Sequence, residues 1–314
     1  MSIPRTVERE VKGEIMRTDI FVMLAIHPGS SPERDLDDAF SMFRDVASRF
    51  SRFSGDSELS LINASGEMRV SSSMSELLSF ALDLHRETAG LFDPSILTDL
   101  EALGYAGSFG GESFGTPLLR SEGARYPFTS LSVDMDSGIV RKPEGLRIDL
   151  GGIAKGFAVD RVARMLRERG YPDFLVDAGG DIFVSGRDVD HGYGYWAIDI
   201  AVPASVTAPI LMLSDMAVAT SGIDRRKWFA EGEERHHLVD PRTGNSAATD
   251  IVSATVVMPS VVRAEVFAKT LCILGSVKAL AFAEERHIPV FLVTVNGETM
   301  YNQSMKPYVY EHEK

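Results

Sequence analysis

The strongest constraint on this chain lies at residues 147–186, RIDLGGIAKGFAVDRVARMLRERGYPDFLVDAGGDIFVSG, where two glycine-rich turns flank one helical run. GGIAKG occupies residues 151–156 and AGGD residues 178–181. From Lys155 onward, Phe157, Val159, Val162, Ala163 and Leu166 fall at near-helical spacing, and Gly170 followed by Pro172 marks the helix end. Residues 147–150 read as a short strand, and 174–176 and 182–184 as two more beside the second turn. A strand thus feeds a helix start through glycines. Glycine lets a ligand approach the backbone, and free N–H groups at a helix start attract anions such as pyrophosphate. The spacing is neither the dinucleotide fingerprint G-x-G-x-x-G nor a Walker A loop. On these residues alone, a phosphate cradle and a pair of plain turns both stay open.

Further along, AVATSG at residues 217–222 ends in Ser221 and Gly222, small enough to admit a ligand to the backbone. A charged run follows, Asp224, Arg225, Arg226 and Lys227, which reads either as a solvated face or as a greeting for phosphate. In HLVDPRTG at residues 237–244, His237 has the chemistry of a general base, a metal ligand or a plain structural histidine, and Arg242 can pair with Asp240. Lys155 reads equally as a charge for pyrophosphate or as a partner of Asp160 or Asp181. Glu265 and Lys269 stand four apart on a helix begun by Ser260, in the favourable order for a salt bridge worth about 0.3–0.5 kcal/mol. That pairing accounts for them without any metal.

With SRFSGDSELSLIN at residues 51–63 and GLFDPSI at 90–96, these motifs resemble in order and spacing the ApbE family, the FAD:protein FMN transferases, over roughly residues 50–275. The resemblance implies FAD as ligand and a phosphoryl transfer. A Thr or Ser hydroxyl of an acceptor flavoprotein attacks the FMN-side phosphorus, and AMP leaves. It further implies a pyrophosphate cradle of Gly151, Gly152, Ala154, Lys155, Gly156 and Asp160, with Ala178, Gly179, Gly180, Ser221 and Gly222 around the flavin nucleotide. His237, Lys269 and Asp181 are the expected catalytic groups, and the loop 51–63 is expected to help close over the flavin.

The chain departs from the family at two places. Asp177 stands where Asn is usual. More consequentially, Glu265 and Lys269 replace an Asp and a Thr that ligate Mg²⁺ together with a backbone carbonyl from the glycine-rich stretch, here placed at Ala154. Glu265 offers hard oxygen to Mg²⁺, whereas a charged lysine cannot coordinate and can instead set its own charge near the pyrophosphate. Two expectations follow, a single-carboxylate Mg²⁺ site or a lysine substitute. An FAD diphosphatase using water as acceptor, and a flavin-binding protein without catalysis, are the alternative functions.

The formal net charge of -13, spread along the chain, argues against a nucleic-acid surface, which needs clustered Lys and Arg. Cys272 is the only cysteine, so neither a disulfide framework nor a cysteine zinc cluster is expected. Residues 1–30 lack the apolar run of a secretory signal and there is no lipobox cysteine, unlike the exported lipoproteins common in the family. A cytoplasmic protein without a membrane span is expected.

The remaining elements read as one unit over 1–314 without a clear linker. A long strand is expected at 14–26, a helix at 32–50, a polar loop at 51–63, and a helix from Ser72 with Ser73 and Glu76 as a candidate capping box. A Gly- and Ser-rich, mobile loop is expected at 105–128. Asn296–Gly297 signals a hairpin near the end. Strands outnumber helices and often follow each other directly, so the expected class is α+β, with mixed or antiparallel sheets and packed helices in an ApbE-like, T-fold-related architecture.

Overall fold

The structure, a computed structural model, describes residues 5–27, 31–107, 115–118, 126–224 and 226–310. The fold is α+β, centred on an eight-stranded sheet. Its strands are β1 (Arg5–Ile15), β2 (Thr18–Ile26), β3 (Phe174–Ala178), β4 (Ile182–Ser185), β5 (Met216–Gly222), β6 (Ile251–Met258), β7 (Val290–Thr294) and β8 (Thr299–Tyr301). Each pairs antiparallel with the strand that precedes it in this series, so spatial order equals chain order. Between β2 and β3 the chain builds α1 (Glu33–Arg49), α2 (Glu58–Ala64), α3 (Ser72–Glu87), α4 (Leu97–Ala102) and α5 (Ala154–Glu168). Between β6 and β7 it builds α6 (Val261–Leu274) and α7 (Ser276–Glu285).

Strand periodicity divides the apolar residues between two layers. Phe174, Val176 and Ala178 of β3, with Val290 and Leu292 of β7, join the core shared with Phe40 and Phe43 of α1, Phe157 and Val162 of α5, and Val266 of α6. Phe291 and Val293 point the other way, onto Trp196, Ile198, Leu211 and Leu213 from the strand pair Trp196–Asp199 and Ile210–Leu213. The Trp196 Nε1–H, buried there, donates to Ser185 O at 2.9 Å. Each such fully buried aliphatic or aromatic side chain contributes about 1.5–3 kcal/mol.

One glycine fixes how closely α5 meets α6, and a second ends α6. Gly156 lies so close to the start of α6 that a Cβ there would sit 2.8 Å from both Cα and N of Val262. Gly275 ends α6 at φ 76°, a left-handed value that favours glycine. Ser260 caps α6, its hydroxyl accepting from Arg263 N at 3.3 Å. Asp160 adds to that cap from α5, accepting from Val261 N at 2.8 Å and Val262 N at 2.9 Å.

Several local expectations are corrected. The strand expected at 14–26 is a hairpin, turning at Met16 and Arg17, both at φ 53°. The loop 51–63 carries α2, capped by Ser57 and burying Leu59 and Ile62. The cap of α3 is Ser71 rather than Ser73, accepting from Met74 N. Residues 147–150 form no strand, and Ser221 and Gly222 lie within β5. Most of 105–128 falls outside the described residues.

Candidate functional site

The start of α5, the β3–β4 turn and the middle of α6 converge. Glu265 projects from α6 to the first turn of α5, where its Oε2 accepts from Gly156 N at 2.8 Å. Its Oε1 lies 2.9 Å from Lys269 Nζ, one helical turn onward, and 3.5 Å from Lys155 Nζ. Lys155 also donates to Asp181, in the turn after β3. The four side chains form two tiers: Glu265 and Asp181 are 1% and 3% exposed, whereas Lys269 and Lys155 reach 17% and 20%. Carboxylates make a buried floor and ammonium groups make its solvent-facing rim.

The electrostatics follow from that layering. Burial opposes the charge on Glu265, but the ammonium groups of Lys269 and Lys155 and the Gly156 N–H overcome it, holding the carboxyl below its usual range. Burial lowers Lys155 to about 8, against the pull of Glu265. His237 sits in the bend after the strand Glu233–His236. Burial, and then the charges of Arg226 and Lys269, hold it well below 6.5, so it is neutral at physiological pH. Its Nδ1 is enclosed without a hydrogen-bond partner among the described residues.

The glycines play separate parts. Gly152 lies beside the Lys269 stem, where an added Cβ would meet Lys269 Cδ and Cε at an ordinary 3.5 Å. Gly156 serves the packing of α5 on α6 described above, and its N–H, with that of Gly151, already meets a carboxylate. Gly179 takes φ 69° against Thr18, and Gly180 takes φ 91° facing open space, its N–H held by Asp177 Oδ1 at 2.7 Å. Ala178 N donates to Asp181 O, closing the turn. Ser221 lies on β5 beneath α6, its carbonyl accepting from the Cys272 thiol, and Gly222 approaches Val252 O so closely that a Cβ would stand 2.7 Å away. Asp160, expected at the cradle, spends its carboxylate on the α6 cap.

The Mg²⁺ site expected at Glu265 and Ala154 does not suit this donor set. Both oxygens of Glu265 are engaged, and two ammonium groups stand where a cation would approach from solvent. Among the described residues, no group of three His, Cys, Asp or Glu converges to hold a metal ion.

One pair escaped the sequence reading. Arg52, from SRFSGDS, meets Asp149, from IDLGG, at 2.8 Å. It donates to Tyr105 O at 2.6 Å and lies over the rings of Phe53 and Tyr105. The signal was a cation and a carboxylate, each embedded in a motif already noticed, 97 residues apart.

Comparison with known proteins gives one consistent family. A family model described as the ApbE family matches residues 16–292. The FAD:protein FMN transferase of Vibrio cholerae is 29% identical over 314 residues, covering 95% of this chain and 92% of that protein. The FAD:protein FMN transferase of Haemophilus influenzae is 28% identical over 283 residues, covering 85% and 81%. Among solved structures, the flavin transferase ApbE from Vibrio cholerae superposes with a TM-score of 0.80 at 25% identity, covering 97% of this chain and 100% of that one.

Proposed function

The chain belongs to the ApbE family, and on that premise we propose that it transfers FMN from FAD to a Thr or Ser hydroxyl of an acceptor flavoprotein, releasing AMP. The observation that carries the reading is the ammonium rim of Lys155 and Lys269 above Glu265 and Asp181. Phosphoryl transfer asks a protein chiefly for positioning and charge neutralisation, and a rim of two cations meets a pyrophosphate with both.

In this reading the acceptor oxygen bonds to the FMN-side phosphorus while the bond from that phosphorus to the bridging oxygen breaks. The electron pair leaves with AMP. His237, neutral at physiological pH, takes the hydroxyl proton. The φ-positive turn at Gly179 and Gly180, open at Gly180, and Ser221 and Gly222 on β5 border the flavin nucleotide. No metal ion is given a step. The cytoplasmic location expected from the sequence stays part of the reading, and cell fractionation checks it; among the described residues no helix is long and apolar enough to cross a membrane.

The test is to incubate the purified chain with FAD and a candidate acceptor bearing an accessible Thr, then record intact masses and nucleotides. One FMN added to the acceptor with AMP released supports transfer. Free FMN and AMP without the adduct would replace it by hydrolysis. Bound FAD that survives unchanged would leave a flavin-binding protein.

A further inference from the structure

We propose that Lys269 does the electrostatic work of a divalent cation, so that this chain binds the pyrophosphate of FAD without metal. The inference rests on FAD being the ligand and goes beyond that reading by naming what neutralises its phosphates.

The charges that face solvent decide which ion can approach. A Mg²⁺ ion needs oxygen ligands presented outward, with room for its own waters. Here the nearest carboxylates are 1% and 3% exposed, and each is covered by an ammonium group. An arriving cation therefore meets like charge, while an arriving phosphate meets two ammonium donors already held in place. Arg226 adds a third cationic group, felt at both Lys155 and His237. Lys269 is held in that orientation by Glu265 at its head, 2.9 Å away. Glu265 is in turn tied to the backbone of α5 through Gly156 N. The ammonium is thus positioned before the ligand arrives, so little ordering cost remains at binding.

The same geometry says what would reverse the arrangement. Lys269→Thr removes the ammonium, frees Glu265 Oε1 and sets a hydroxyl nearby, which turns the floor into a site with hard oxygen directed outward. Lys269→Met keeps the stem that packs beside Gly152 but removes the charge, and Lys269→Arg keeps the charge.

The experiment measures FAD affinity of the intact protein by flavin fluorescence, in EDTA and in Mg²⁺, with thermal melting as a check on folding. Wild-type protein and Lys269→Arg are expected to bind FAD equally in both media, within about twofold. Lys269→Met is expected to weaken binding about tenfold or more in either medium, the loss of one charged hydrogen bond. Lys269→Thr is expected to bind weakly in EDTA and to recover with Mg²⁺. Mn²⁺ binding, read by loss of the free-ion paramagnetic resonance signal, should appear in Lys269→Thr and be absent from wild type. Wild-type affinity raised about tenfold by Mg²⁺ and abolished by EDTA would overturn the proposal while leaving FAD as the ligand. If FAD fails to bind in both media, the functional reading falls and this proposal with it. The wild-type comparison decides the matter even where a variant fails to fold.

Discussion

Arg52 and Asp149 form an ion pair at 2.8 Å, with side chains only 5% and 16% exposed, and this pair ties the segment before α2 to the entrance of the glycine-rich turn. Asp149 also accepts from Gly151 N at 2.9 Å, so one carboxylate fixes both a distant arginine and the turn's first amide. Removing one member of such a pair strands the other in a low-dielectric setting. Arg52→Ala and Asp149→Ala are each expected to cost about 3–5 kcal/mol. Their double variant should cost clearly less than the sum. Urea unfolding of all four proteins measures this, and additive effects would show that the pair is not energetically coupled.

Gly156→Ala is expected to destabilise by about 1–3 kcal/mol, the range for overpacking a close contact. The added methyl would stand 2.8 Å from Val262 backbone atoms, which cannot rotate aside as a side-chain end can. Gly180→Ala is the informative contrast, because nothing lies within 4 Å of its Cβ position and only the φ of 91° resists the change. Equal melting temperatures for wild type and Gly156→Ala would contradict the packing role.

Asp160 makes stability fall as pH rises. Burial pushes its carboxyl up to about 6 from 3.8, only partly offset by the Val262 and Val261 N–H groups. The native state therefore holds a proton at pH values where the unfolded chain has lost it, and stability from this group falls as pH rises between about 4 and 6. The stability advantage of wild type over Asp160→Asn should accordingly shrink across that window, by on the order of 2–3 kcal/mol. An advantage that grows with pH would instead mean that the α6 cap favours the ionised form.

The sequence carried whatever depends on near neighbours. The helix from Lys155 to its stop at Gly170 was legible because its apolar spacing and its glycine lie within one segment. The Glu265–Lys269 bridge was legible because one helical turn is a fixed distance. The hairpin at Met16 and Arg17 was not, since two ordinary residues adopt left-handed φ there without a glycine or asparagine to announce it. The short helix α2 hid within a polar run because only Leu59 and Ile62 are buried. The reason for Gly156 could not be read at all, because it lies 106 positions downstream, at Val262. The same holds for the site: its residues were named from local motifs, but which lysine covers which carboxylate is set by how α5 and α6 pack.

His237 supplies the opposite pH dependence. Burial comes first, then the charges of Arg226, Lys269 and His236, and together they hold the imidazole well below 6.5. In the unfolded chain the same ring titrates near 6.5, so below that pH the unfolded state binds the extra proton and the native state does not. The contribution is fully present above about pH 6.5 and is lost as pH falls, at up to about 1.4 kcal/mol per pH unit. His236 is shifted downward too, mainly by burial, and acts in the same direction. The two separate by substitution: His237→Gln should flatten the dependence of the unfolding midpoint between pH 6.5 and 5, and His236→Gln should flatten it further in combination. The same neutrality bears on transfer, because a base that stays unprotonated well below pH 6.5 keeps accepting a proton where an ordinary histidine would be half charged. FMN transfer by wild type should therefore hold its rate from pH 7.5 down to about 6. A rate that halves near pH 6.5 would show that His237 titrates normally and would remove the enclosed, neutral imidazole from the mechanism.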